Sequence, residues 1–151
     1  MADHRAEQIL AAVKTTLEAD GTFSVFRDHV DALTGTLQQL PAACIFSGDD
    51  VPRGDTGFEV IGSYDSVLTV YIDAWEQADR DTGVITKLMD IRKKIHIALM
   101  GSTRLGLSFV FNLSPAGADE PELSADGEAI TGKLRTLWMM EYRSSVTDPS
   151  A

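Results

Sequence analysis

Two spacings of apolar residues alternate along this chain. Ala6, Ile9, Leu10, Val13 and Leu17 fall on one side of a helix that runs to about Ala19. Asp3 is placed to cap its start, and Gly21 suits the turn that ends it. Residues 22–39 are weakly patterned and read as a connection, with "TFSVF" as a short strand. "PAACIFSG" reads as a strand entered through Pro41, and "DDVPRGDTG" as a turn-rich loop. "FEVIG" and "SVLTVYIDAW" follow as two strands, or one strand bent near Gly62. In the latter, Leu68, Val70, Ile72 and Ala74 point one way, and Val67, Thr69, Tyr71, Asp73 and Trp75 the other.

The period changes again after the polar "EQADRDTG". From about Thr82 to Met100, Val84, Leu88, Ile91, Ile95, Ala98 and Leu99 form one helical stripe. Leu105, Leu107, Phe109, Phe111 and Leu113 then alternate as a strand. Residues 114–130 carry five acids and no base, with Pro, Gly and Ala, and predict a long mobile loop. "GKLRTLWMMEYR" is the last strand, and residues 146–151 predict a flexible tail. The order predicts a single α+β domain over 1–145, a mainly antiparallel sheet with two helices on one face.

Some apolar residues have no place in such a domain. Met89, His96, Ile97 and Met100 lie off the helical stripe. Tyr71 and Trp75 lie opposite the predicted core face, and Leu137 and Met139 lie opposite Leu134, Trp138, Met140 and Tyr142. A two-layer domain buries one sheet face, so the surplus predicts a partner surface, most simply between copies of the chain. Tyr71, Trp75, Met89, Ile97, Met100 and Met139 are the candidates. The rival is a second layer built from residues 22–39 or from the acidic loop.

Charge and motif narrow the chemistry. A net charge of −10 argues against a general nucleic-acid binder, which needs cations to displace phosphate counterions. Arg92-Lys93-Lys94 is split around its helix and reads as a solvated flank. Cys44, the single cysteine, reads as a small buried filler. "GSTRLGLS" lacks the lysine of a phosphate loop, and it follows a helix instead of preceding one. His4, His29 and His96 are far apart in sequence, and "NLS" at Asn112 has no secretory context, since "MADHRAEQIL" does not read as a signal peptide. No apolar run approaches the roughly 20 residues that cross a bilayer. No nucleophile elbow is present, so the chain reads as non-enzymatic, with no cofactor or metal. The one pocket chemistry to weigh is the acid pair Asp49/Asp50 with Arg53.

The layout resembles a known family. An opening helix "HRAEQILAAVKTTLEA", a strand entered as "LPAACIFSGDD", a hairpin ending in "VYIDAW", the helix "ITKLMDIRKKIHIAL" and a closing "GKLRTLWMMEYR" resemble the tail terminator proteins of long-tailed bacteriophages, over about residues 4–145. The resemblance implies a structural virion protein of the tail, assembled in the bacterial cytoplasm. Its copies form a ring, usually a hexamer, that caps the tail tube, stops polymerisation and offers a surface to head–tail connector proteins. DNA passes through the ring without specific binding. Relatives in the tube and neck share such folds, so a tail tube or head–tail completion protein is the alternative. A small ligand-binding or enzymatic domain using Asp49/Asp50 is the alternative of another class. If the acids repel passing DNA, the loops facing the hole or tube are those with Asp49, Asp50, Arg53 and Asp55, and those with Asp119, Glu120 and Glu122.

Overall fold

A computed structural model describes residues 2–28, 40–53, 62–79, 83–126 and 129–151. Its elements are α1 (Arg5–Glu18), β1 (Ser24–Arg27), β2 (Ala42–Pro52), β3 (Ser63–Asp79), α2 (Val84–Gly101), β4 (Val110–Ala118), β5 (Glu122–Asp126) and β6 (Ala129–Ser145). The sheet order is β1-β2-β3-β6-β4, and β5 pairs β6 beyond the end of β4. Among the described strands only β1 and β2 run parallel. The α+β class, a mostly antiparallel sheet with two helices, is as the residue order predicts.

The core lies between the helices and one sheet face. α1 contributes Ile9, Leu10, Val13 and Leu17, and α2 contributes Leu88, Ile91, Ile95 and Leu99. The sheet answers with Ala43, Ile45, Leu68, Val70, Ile72, Ala74, Leu134, Trp138 and Met140, all buried. The period-two pattern of β3 sets its long register with β6, in which Val70 faces Trp138 and Ile72 faces Thr136. A slip of one residue would turn every one of these side chains to the wrong face. α2 seats close to β6 at Gly132, where an added Cβ would lie 2.7 Å from Leu88 Cδ1.

Five local expectations are corrected. His4, not Asp3, caps α1, its Nδ1 accepting from the Ala6 amide at 3.0 Å. The alternation from Leu105 to Leu113 is not all strand. Arg104–Gly106 forms a 3-10 turn with Leu105 at φ 58°, and β4 starts at Val110. The acidic segment 114–130 is no free loop, because residues up to Ala118 continue β4 and Glu122–Asp126 form β5 on the edge of β6. Backbone pairing, which composition does not report, outweighs its polar character. Asp49 and Asp50 belong to β2, not to a loop. The terminal residues are tied back: the Arg5 amide donates to Pro149 O at 2.9 Å, and the Ser145 amide to Ala151 O at 2.6 Å. "FEVIG" up to Ile61, Asp55, His29 and most of the 22–39 connection lie outside the described residues. Within that connection "TFSVF" is strand only from Ser24, where β1 begins.

Candidate interaction surface

The sheet face away from the helices is a ladder of cross-strand charges and rings. Asp73 on β3 accepts two bonds from Arg135 on β6, at 2.7 and 2.9 Å. Arg135 also lies over the rings of Tyr71 and Phe46, at 5.0 and 5.8 Å. Asp65 holds Arg143 in the same two-pronged way, at 2.7 and 3.1 Å. Lys133 pairs with Glu122 at 2.9 Å and lies 5.8 Å from the Trp75 ring centre. Glu141 takes Arg53 at 2.6 Å and Asn112 at 3.0 Å. Asp73 and Asp65 are buried, and the paired geometry is what makes that tolerable. The hydrogen bonds to Asp73 hold Arg135 above its ordinary pKa, and the bond from Lys133 lowers that of Glu122. Cys44 shares a small cluster on this face with Ala42, Phe26, Phe46 and Trp75. Burial, with Asp73 nearby, pushes its thiol up to about 12, so it is packing and not a nucleophile.

The six candidate interface residues do not share one patch. Tyr71 and Trp75 are half-buried in the ladder, and Met139 stands out of the same face at 42% exposure. Met89 and Met100 lie on the β4 side of α2, exposed to 41% and 46%. Ile97, at 59%, lines a groove between α2 and the Thr15–Asp20 end of α1. Apolar surface is thus shown on both outer sides of the domain. Sequence reasoning missed the cations of the ladder. Its one available signal was the recurrence of Lys133, Arg135 and Arg143 at odd positions of β6, opposite Trp75, Asp73 and Asp65.

A separate concavity opens between α2 and the β4 edge. Met89, Arg92, Lys93 and His96 line one wall, and Pro115, Gly117, Thr136, Leu137 and Trp138 the other, around about 220 Å³. Spacing of three, four and seven residues puts the four α2 side chains on this side. Trp138 forms the floor, its Nε1 donating to Thr136 Oγ1 at 3.2 Å and its ring 5.7 Å from that of His96. Among the described residues, neither Arg92 nor Lys93 has an ion pair, whereas Lys94 takes Asp90 at 3.2 Å.

The remaining candidates are dispersed. Asp50 accepts from the Tyr142 hydroxyl at 2.6 Å, while Asp49 is exposed beside the irregularity in β2. Asp119, Glu120 and Glu122 sit around an opening with Lys133 and Arg135. Among the described residues no three His, Cys, Asp or Glu side chains are placed to hold a metal ion. Among the described residues no helix is long and apolar enough to cross a membrane. No protein-family model matches the chain, and no curated protein matches it.

Proposed function

We propose that this chain is a phage tail terminator, a structural virion protein whose copies close into a ring on the finished tail tube. The ring, hexameric by the family likeness, stops tube polymerisation and presents its far side to head–tail connector proteins. One observation carries the reading: Met139 on one outer side and Met89 on the other are each about two-fifths exposed, although the described residues already bury a core between the helices and the sheet. A domain that packs its helices on one sheet face, covers the other only in part and still shows large apolar groups on two sides suits a ring subunit with neighbours and a tube beneath it.

The test is polymerisation of purified tail tube protein with and without this chain, followed by length measurement in negative stain. Capping gives tubes that stop growing and carry one ring at an end. Tubes that lengthen unchecked, with no end density, defeat the reading. Incorporation along the tube wall would make the chain a tail tube protein, and binding to the connector alone a head–tail completion protein. The ligand-binding alternative rests on Asp49/Asp50, where the Tyr142 hydroxyl already occupies one of the two carboxylates.

A further inference from the structure

The α2–β4 cleft of this acidic chain gathers bases that have no ion pair among the described residues. Arg92, Lys93 and His96 stand over a floor formed by Trp138, with Met89 beside them and Pro115 on the facing wall. Its volume, about 220 Å³, falls below the ~300 Å³ from which small-molecule sites begin. It is sized for a single side chain delivered by a protein segment. The segment must be acidic to meet Arg92 and Lys93, and must carry one exposed apolar side chain.

The chain itself holds such a segment at the opposite edge of its sheet. β1 pairs β2 only from Ala42 to Ile45, so the stretch from Phe46 to Pro52 has no β1 partner on that side. There Val51 is 56% exposed, next to exposed Asp49. Among the described residues nothing pairs with this edge, and a strand edge with an exposed apolar residue is the kind of surface that proteins cover. Leu123, also exposed beside an acid, lies on the same edge as the cleft. Pairing through it would bring like edges together and end at a dimer.

We propose that the α2–β4 cleft receives the Asp49–Pro52 edge of a second copy of this chain. Val51 fills the apolar pocket while Arg92 and Lys93 meet Asp49. Joining opposite edges is a heterologous contact, which repeats from copy to copy and closes a ring when the rotation permits. The inference rests on the ring reading and names its joint.

Sedimentation velocity of the whole chain over a concentration series tests it, with melting temperatures confirming that each variant folds. Arg92→Glu with Lys93→Glu, and separately Asp49→Lys, are expected to weaken self-association about tenfold or more, because like charges then face each other. Combining the two reversals is expected to restore most of the loss. Val51→Asp is expected to weaken association, and Leu123→Asp to leave it unchanged. Association untouched by the reversals, no recovery in the combined variant, loss through Leu123 instead of Val51, or a wild type that stays monomeric throughout would each overturn the joint. Gel shift with duplex DNA separates the competing occupant: binding lost in Arg92→Glu/Lys93→Glu would assign the cleft to nucleic acid and overturn the joint. Tubes still capped by every variant would remove the joint and leave the tail reading. Assembly through the joint without capping would do the reverse.

Discussion

Arg135 and Asp73 face each other on the sheet side that carries no helix, and their burial is unequal. The Asp73 side chain is almost wholly buried, while that of Arg135 keeps about a third of its surface, at 4% and 34% exposure. The two truncations should therefore differ. Asp73→Ala leaves a guanidinium that can still reach water and stack on Tyr71, at a cost of about 1 kcal/mol. Arg135→Met strands a buried carboxylate and should cost about 3 kcal/mol in urea unfolding. Equal losses in the two variants would show that Arg135 acts through packing on the Phe46 and Tyr71 rings instead.

At the scale of elements, α2 is positioned by a contact with no side chain on one partner. A Cβ on Gly132 would meet Leu88 Cδ1 at 2.7 Å, Val84 Cγ2 at 3.1 Å and Leu123 Cδ2 at 3.2 Å. Gly132→Ala should force the first turn of α2 outward and cost about 1–2 kcal/mol, as overpacking does. Thermal unfolding measures it, and an unchanged or higher melting temperature would mean that Leu88 and Leu123 rotate away freely. Both helices and the inward face of β3 were legible in the sequence, because Leu68, Val70, Ile72 and Ala74 keep one period while α1 and α2 keep another. β5 was not legible. Glu122, Ser124 and Asp126 have no apolar partner pattern, and the strand exists through backbone bonds to β6 and the Lys133–Glu122 pair. Leu105 to Phe111 misled for the opposite reason: a regular alternation ran through a left-handed turn at Leu105, a residue buried in the core without being in a strand. The candidate interface was half legible. Periodicity flagged Met89, Ile97, Met100 and Met139 as surplus, and all four are exposed, but it could not show that the helix residues divide between the β4 side of α2 and the groove beside α1.

At the scale of the whole molecule, a net charge of −10 coexists with a sheet face whose cations are nearly all matched. The unmatched acids therefore decide what field a ring would present to DNA. Asp119 and Glu120 are exposed at the turn between β4 and β5, whereas Glu122 is engaged by Lys133. In a ring whose hole is lined by this turn, six-fold repetition would sum the charge of Asp119 and Glu120 into a repulsive collar. Neutralising them, Asp119→Asn with Glu120→Gln, should raise the retention of duplex DNA on assembled rings at low salt. The gain should fade toward 1 M salt, where the screening length falls to ~3 Å. Glu122→Gln should raise retention by a second route, since it also releases the Lys133 ammonium toward the phosphates. Retention unchanged in both variants would move this turn away from the conduit, and the acidity of the chain would then serve solubility alone.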